Sequence, residues 1–305
     1  MWRSFVARVV RDDEAAGSNP VTPTAERLRR KAGPLLYGDT DTFRPDRSTV
    51  PDSTPALVAF DLDDTLAPSK TAIDARIGDQ LIALAERAEV AIISGGQLAQ
   101  FRTQVVERLP AASADVLSHV HLMPTCGTQY YRIGEGGIET VYAHSLTDDE
   151  KHRALTAVEE EAKRLGLWAT ETWGDILEDR GSQITFSALG QKAPLDAKTA
   201  WDPSGEKKNT LREAVQARIP DLEVRSGGST SVDITHRGID KAYGMRQLAD
   251  ATGIALDDML FVGDRLDPDG NDYPVLALGV PCHAVHGWED TAAFLDTLIP
   301  TLPQR

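Results

Sequence analysis

The stretch VAFDLDDTLAPSK, residues Val58–Lys70, joins a short apolar run to three aspartates within four positions. The run Ala56–Phe60 has the composition of a buried strand, and Asp61, Asp63 and Asp64 follow it directly. Carboxylates placed this close together repel one another, which costs stability. Three of them at the end of one strand therefore indicate either a solvated acidic turn or a functional site.

Around this stretch, strands and helices alternate along the chain. Strands are predicted at Ala56–Phe60, Glu89–Ile93 and Val120–Met123, with helices between them at Ile73–Arg87 and Gln97–Leu109. After Gly238 the alternation resumes, with helix Ile239–Thr252, strand Met259–Val262, strand Cys282–Val285 and helix Glu289–Leu298. This alternation predicts an α/β fold with a doubly wound, Rossmann-like parallel sheet and helices on both of its faces.

The middle of the chain follows a different pattern, typical of an α+β insert. It contains a predicted hairpin, further short strands and two helices: Gln129–Ile133, Ile138–Ala143, Thr147–Leu165, Trp168–Trp173, Gln183–Leu189, Lys207–Arg218, Leu222–Arg225 and Ser231–Thr235. We therefore expect a core at 56–130 and 238–305 that is interrupted by an inserted domain at 131–237. Ligands of open α/β sheets bind at the carboxyl ends of the strands, so the expected cleft lies between core and insert.

Composition and charge exclude several classes of partner. The 305 residues carry a formal net charge of −15, which disfavours nucleic acid and anionic membranes as partners. No window of about 18 uninterrupted apolar residues occurs, so no transmembrane segment is expected. The two cysteines, Cys126 and Cys282, are too far apart in sequence for a metal knuckle or a disulfide framework. A reducing, cytoplasmic location is the simplest expectation.

The first 55 residues differ in composition from the rest of the chain. They are rich in Asp, Arg, Pro, Ser and Thr, which predicts a disordered N-terminal extension. An alternative interpretation is that part of the segment is not native. The stretch Ala16–Pro23 is what a transfer-RNA T-arm yields when it is translated in one frame, so the true start is then expected downstream.

Four polar elements fall at strand ends or helix starts of the expected core. They are Asp61 to Thr65, Ser94-Gly95-Gly96, Lys241, and Gly263-Asp264 followed by Gly270-Asn271-Asp272. Each element by itself is as common in solvated loops or on helix surfaces as in functional sites. Their order, each after a predicted strand or at a helix start, favours one shared site. Two aspartates at alternate positions can meet a divalent cation, and glycine-exposed amides suit a phosphate oxygen.

This order of motifs resembles the four-motif signature of the haloacid dehalogenase superfamily of phosphotransferases. From about Leu57 to the C-terminus the chain is also similar to eukaryotic-type phosphomannomutases. The similarity rests on these stretches: Asp61 to Lys70, Glu178-Asp-Arg-Gly-Ser, Gly227-Gly-Ser-Thr-Ser-Val-Asp233, Asp240-Lys241 and Gly263 to Asp272. The resemblance implies a haloacid dehalogenase core with a large α+β cap between the second and third motifs.

The resemblance implies a role for each core residue. Asp61 would be the nucleophile that forms an aspartyl-phosphate, and Asp63 the general acid and base. Mg²⁺ would be held by Asp61, the backbone carbonyl of Asp63, and Asp264. The implied ligands of the transferring phosphoryl group are Ser94, Gly95, Lys241 and Asn271. Asn271 would orient Lys241, the nucleophile or the phosphate, while Asp272 would support the metal waters or the loop.

The insert would select the substrate, a small sugar phosphate. The implied substrate-binding residues are Lys70, Arg180, Lys198, Ser231 and Asp233. For Arg180 an exposed salt bridge is the alternative interpretation, and for Ser231 and Asp233 a turn-stabilising pair. The mutases have arginine where this chain has Lys70, Gln191 and Lys198, and arginine binds phosphate through two parallel hydrogen bonds whereas lysine is a point charge.

These departures leave the reaction open between two activities. With a weak second phosphate site, water would discharge the aspartyl-phosphate, so a hexose-phosphate phosphatase is expected. A hexose phosphomutase of the phosphomannomutase type is the alternative, and a catalytically idle phosphosugar-binding protein is a minor one. The resemblance also implies a homodimer formed through the cap.

Overall fold

The structure, a computed structural model, describes residues 54–305. The expectations for the first 55 residues therefore fall almost entirely outside the described residues. Within 54–305, none of the helices has both the length and the apolar character that crossing a bilayer requires.

A seven-stranded sheet forms the core of the larger part of the chain. Its strands are β1 (Leu57–Phe60), β2 (Glu89–Ile93), β3 (Val120–Met123), β4 (Gln129–Gly134), β5 (Gly137–Ala143), β10 (Met259–Gly263) and β11 (Cys282–Ala284). They lie in the order β11-β10-β1-β2-β3-β4-β5. The first five in this order pair in parallel, and the hairpin β4–β5 extends the sheet in antiparallel fashion. All four residues of β1 are buried, as expected for a central parallel strand.

Helices cover both faces of this sheet. They are α1 (Ala75–Ala85), α2 (Leu98–Gln104), α3 (Ala114–Ser118), α7 (Lys241–Thr252), α8 (Tyr273–Ala277) and α9 (Trp288–Leu298). Val58 and Phe60 of β1 belong to the apolar cluster that contains α1 and α9, whereas Leu57 and Ala59 belong to the cluster that contains α7 and α8. Successive residues of one strand thus enter two different cores. The doubly wound α/β fold is confirmed.

A second, four-stranded antiparallel sheet lies between the two halves of the core in sequence. Its strands are β6 (Leu177–Asp179), β7 (Gln183–Ser187), β8 (Glu223–Ser226) and β9 (Ser231–Thr235), in the order β6-β7-β9-β8, and its helices are α4 (Asp148–Arg164), α5 (Leu195–Trp201) and α6 (Glu206–Arg218). One face packs against α4 and α6 through a separate apolar core that includes Val158, Phe186 and Val215. A capping box begins α4, because the Glu150 N–H donates to Thr147 Oγ1 at 3.2 Å and the Thr147 N–H donates to Glu150 Oε2 at 2.8 Å.

Two expectations about the insert differ from the structure. The hairpin β4–β5 pairs with β3 of the large sheet, so an insert that starts at residue 131 would divide a hairpin, and we place its start after Ala143. The predicted strand Trp168–Trp173 is irregular, and β7 pairs instead with Leu177–Asp179. The apolar residues of that segment pack against the insert instead: the ring centroid of Trp168 lies 6.1 Å from that of Phe186.

Candidate active site

The parallel sheet brings three of the four predicted motifs to one edge. Phe60, the last residue of β1, is in register with Ile92 of β2 and Val262 of β10. The residues that follow these strands, Asp61, Ser94 and Asp264, therefore emerge side by side. The fourth motif, Lys241, begins α7 and reaches the same point, because its Nζ lies 2.6 Å from Asp61 Oδ1.

At the centre of this edge, a buried lysine joins two buried carboxylates. Lys241 Nζ contacts Asp61 Oδ1 at 2.6 Å and Asp272 Oδ1 at 2.5 Å. The exposed fractions are 1% for Lys241, 4% for Asp61 and 0% for Asp272. Burial alone would lower the pKa of Lys241, but Asp272 and Asp61 raise it above its ordinary value, so the lysine is charged. An ammonium group has three donors, so one remains for a further acceptor.

The loop that follows β10 places Asp272 where Asn271 was expected. Asp272 accepts from Lys241 Nζ and from the amide of Arg265, whereas the Asn271 side chain is exposed. Of the three groups that Asn271 was expected to orient, Lys241 is contacted by Asp272 instead, so that alternative is corrected. A role of Asn271 toward the nucleophile or the phosphate stays a prediction. The loop is tightly folded here, since a Cβ atom at Gly270 would lie 1.9 Å from the carbonyl oxygen of Arg265.

The carboxylates at this edge fit a divalent cation. One oxygen from each of Asp61, Asp264 and Asp272 lies within 4.8 Å of the others. Burial raises the pKa of Asp61 to about 8 although Lys241 opposes the shift, and burial also raises the pKa of Asp264. These raised pKa values mean that Lys241 does not fully offset the cost of burying the two carboxylates, to which the neighbouring Asp272 adds repulsion. Because the donor set is made of oxygen atoms only, a hard cation matches it.

Asp63 lies at the mouth of the site and is only partly buried. Its carboxylate Oδ1 accepts the backbone N–H of Lys70 at 2.6 Å. The loop between them is tight, since Asp64 and Lys70 both have positive φ values, of 60° and 59°. Neither is glycine, so the backbone at both ends of this loop is strained. The loop fixes the Asp63 carboxylate without using its second oxygen.

The loop after β2 offers space for a phosphate oxygen. Ser94 is buried, and its Oγ accepts the N–H of Gly96 at 3.1 Å. A Cβ atom at Gly95 would meet no atom within 4 Å, so the site is open beside its backbone. The predicted phosphate-binding residues Ser94, Gly95 and Lys241 thus share the edge that carries Asp61.

In the insert, the predicted pair Ser231 and Asp233 belongs to a polar row on two neighbouring strands. Thr185 is in register with Asp233, and Ser187 with Ser231. Thr185 Oγ1 donates to Asp233 Oδ1 at 2.7 Å, and burial raises the pKa of Asp233. A Cβ atom at Gly227 would lie 2.6 Å from Asp233 Oδ2, so the Gly-Gly turn leaves room for this carboxylate.

Two lysines meet at Gln191, between the core and the insert. Lys70 Nζ donates to Gln191 Oε1 at 3.3 Å, and Lys198 Nζ donates to the Gln191 backbone carbonyl at 3.2 Å. Gln191 Nε2 in turn donates to Ser187 Oγ at 2.8 Å. The pKa of Lys198 is lowered, first by burial and then by the neighbouring Lys70. Two ammonium groups so placed favour an anion between them.

The guanidinium of Arg180 bridges the insert and the core. It donates from Nε and Nη2 to Glu178 Oε2 at 3.1 and 2.7 Å, and from Nη1 to the Gly95 carbonyl at 2.9 Å. The alternative interpretation, an exposed salt bridge, is correct in that Arg180 pairs with a carboxylate, that of Glu178. It is wrong about exposure, because only 9% of the Arg180 side chain is exposed. Arg180 therefore directly contacts the loop that is predicted to bind phosphate.

Sequence reasoning did not assign a role to Thr185, Ser187 or Glu178. The signal for the first two was present, because Gln183, Thr185 and Ser187 alternate with the apolar residues of β7. Pairing with β9, which places the polar side of β7 beside Asp233, is not visible in that alternation. Arg180 directly follows β6 (Leu177–Asp179) and comes two residues after Glu178, a spacing that allows extended side chains to meet.

Comparison with known proteins gives consistent results. A family model described as eukaryotic phosphomannomutase matches residues 77–301. A probable phosphomannomutase of Caenorhabditis elegans is 24% identical, over 83% of this chain and 99% of that protein. A phosphoserine phosphatase of Halobacterium salinarum is 30% identical, over 70% of this chain and 98% of that protein. A solved haloacid dehalogenase-like hydrolase from Bacteroides thetaiotaomicron shares the fold, with a TM-score of 0.53, 14% identity, and coverage of 80% of this chain and 99% of that one.

Proposed function

The chain belongs to the eukaryotic phosphomannomutase family within the haloacid dehalogenase enzymes, and on that premise we propose that it transfers the phosphoryl group of a sugar phosphate through Asp61, with Mg²⁺. The observation that carries the proposal is the buried contact of Lys241 with Asp61, beside Asp264. Lys241 opposes the effect of burial on Asp61 and so favours its ionised form, the form that a nucleophile needs, and a bound divalent cation would favour it further. The remaining donor of Lys241 is available to a phosphoryl oxygen.

The first half of the reaction follows from these positions. The Asp61 carboxylate attacks phosphorus, and the bond from phosphorus to the sugar oxygen breaks. Asp63 gives its proton to that leaving oxygen, while Ser94 and Lys241 bind the non-bridging oxygens. Asp61, Asp264 and the carbonyl of Asp63 are the proposed ligands of Mg²⁺, which when bound offsets the charge on the phosphoryl group.

In the second half, Asp63 takes a proton from the acceptor as the acceptor attacks the aspartyl-phosphate. We propose water as that acceptor, which makes the enzyme a hexose-phosphate phosphatase. The supporting observation is the scarcity of available cations in the insert. Arg180 already binds Glu178 and Gly95, and the neutral Gln191 stands between the two lysines.

A sugar hydroxyl as acceptor, giving a phosphomutase, is the second candidate. It is favoured by the named relatives that are phosphomannomutases and by the two ammonium groups of Lys70 and Lys198, which lie together at Gln191. A mutase has to hold a second phosphate at that position while the sugar turns over.

One incubation separates the two candidates. Purified protein is mixed with Mg²⁺, mannose 1-phosphate and a trace of hexose bisphosphate, and the products are followed by ³¹P NMR. Free phosphate as the only product supports the phosphatase, whereas conversion to the 6-phosphate identifies a mutase. If neither appears and no other phosphate monoester is turned over, the proposed phosphotransfer is wrong.

Two further expectations stay predictions. The resemblance to the mutases implies that two copies pair through the insert, which light scattering after size-exclusion chromatography would test. The cytoplasmic location rests on the absence of a cysteine framework in the sequence, and localisation of a tagged chain would test it.

A further inference from the structure

We propose that Lys70 is a positioning residue that couples an anionic group bound at the insert to the Asp63 carboxylate. The inference rests on the proposed function, because it assigns to Lys70 a part in the same reaction. It goes beyond anion binding, since it makes the rate of the chemical step depend on what occupies the insert.

The first observation is that Lys70 holds both ends of the connection. Its backbone N–H donates to Asp63 Oδ1 at 2.6 Å, and its side chain reaches Gln191 Oε1 at 3.3 Å. Asp63 stands beside the nucleophile in the core, whereas Gln191 belongs to the insert. A movement of the Lys70 side chain is therefore transmitted to Asp63 through a single residue.

The second observation is that the backbone at Lys70 is strained. Its φ of 59° lies in the left-handed region, which a residue with a side chain adopts only when its surroundings hold it there. The hydrogen bond of its side chain to Gln191 is long, 3.3 Å, and the acceptor is an uncharged amide. An anion at the ammonium group would hold the side chain more firmly, because a charge-assisted contact is stronger than a neutral one.

The third observation is that the neighbouring Lys198 supplies a matched control. Its ammonium group lies beside that of Lys70 and donates to the backbone carbonyl of the same Gln191. Lys198 lies on α5, and its backbone amide donates to the carbonyl of Pro194 rather than to any catalytic group. Both lysines thus line the proposed anion site. Of the two, Lys70 is the one whose backbone N–H donates to the Asp63 carboxylate.

The coupling predicts activation by a free anion. A small phosphate ester that lacks a second anionic group, such as p-nitrophenyl phosphate, leaves the lysine pair empty. Phosphite added to the same assay would bind the lysine pair, fix the Lys70 loop and raise kcat for the ester, because binding energy remote from the reacting bond then serves the transition state. Sodium chloride at matched ionic strength controls for screening.

The test compares wild type with Lys70→Met, Lys198→Met and Lys70→Arg in the full-length protein. We expect phosphite to raise wild-type kcat severalfold and to have no such effect on Lys70→Met. With a sugar phosphate, Lys70→Met should lower kcat by about tenfold, equivalent to about 1.4 kcal/mol, and raise KM, whereas Lys198→Met should raise KM with kcat within about twofold. Lys70→Arg should recover most of the kcat lost in Lys70→Met.

Two results would overturn the inference. One is purely competitive inhibition by phosphite in wild type, with no range of activation. The other is an equal kcat in Lys70→Met and Lys198→Met, which would reduce Lys70 to an anion ligand. Either result with normal turnover of p-nitrophenyl phosphate leaves the proposed phosphotransfer standing. Absence of any Mg²⁺-dependent turnover in wild type would instead reject the proposed function itself.

Discussion

The core edge and the facing surface of the insert are both polar, but their charges are arranged differently. At the core edge, Lys241 is enclosed by two carboxylates and is withdrawn from solvent. At the insert, Lys70 and Lys198 contact the neutral Gln191 and lie partly exposed. At the core edge, the lysine is already paired with carboxylates, and these carboxylates can bind a cation. At the insert, the two ammonium groups remain available to an anion. The core edge is thus suited to a fixed chemical step and the insert to selecting what undergoes it.

The largest effect is expected at the core. Asp61→Asn should lower turnover by about a thousandfold or more, because no other group can form the bond to phosphorus. The fold should persist, since Lys241 keeps its contact with Asp272. Steady-state rates under metal saturation, with circular dichroism as the control for folding, test this. A variant that keeps even a few per cent of the wild-type rate would contradict the assignment of the nucleophile.

Asp272 should be the most important member of the buried cluster for stability. Asp272→Asn removes one of two carboxylates around a buried ammonium, and we expect a loss of about 3–5 kcal/mol in the free energy of unfolding. Asp269→Asn is the matched control: it is the same change on an exposed residue of the same loop, and should cost less than about 0.5 kcal/mol. Urea denaturation measures both. Equal stability of the two variants would mean that the buried contact contributes little.

Arg180 connects the two regions, so its substitution should separate binding from chemistry. Arg180→Lys keeps the charge but cannot bind Glu178 and the Gly95 carbonyl with the same fork. We expect KM for the sugar phosphate to rise by about tenfold, with a smaller change in kcat. Arg212→Lys, at an arginine of α6 that pairs with the exposed Glu213, should leave both constants unchanged. A loss confined to kcat would place Arg180 in the chemical step instead.

The smallest expected effect concerns the choice of acceptor. Gln191→Arg would place a third cation beside Lys70 and Lys198 and strengthen binding of a second phosphate. We expect the ratio of 6-phosphate to free phosphate formed from mannose 1-phosphate to increase severalfold, measured by ³¹P NMR. Gln304→Arg, the same change at an exposed residue near the C-terminus, should not change it. An unchanged ratio in Gln191→Arg would show that this position does not decide between water and a sugar hydroxyl.

Much of the core could be predicted because its signals are local. A buried parallel strand has a continuous apolar run, and the residues after such strands lie at the edge of the sheet where ligands bind, so Asp61, Ser94 and Asp264 could be placed at that edge from the sequence alone. The strand and helix order predicted the doubly wound sheet for the same reason. The hairpin β4–β5 could not be assigned to that sheet, since its alternation is the same whichever sheet it joins.

The sequence by itself determined the fold class, the family and the residues that meet at the carboxyl ends of the strands, because these depend on periodicity and on short motifs. Tertiary structure decided which neighbours those residues have. Which of two adjacent residues reaches Lys241 was decided by the folded loop, where Asp272 rather than Asn271 binds it. That Lys70 reaches both Asp63 and Gln191 depends on a strained backbone and on a contact between residues 121 positions apart. Electrostatic contacts depend on distances of a few ångströms, and distance across such separations is set by packing of the whole chain rather than by local pattern.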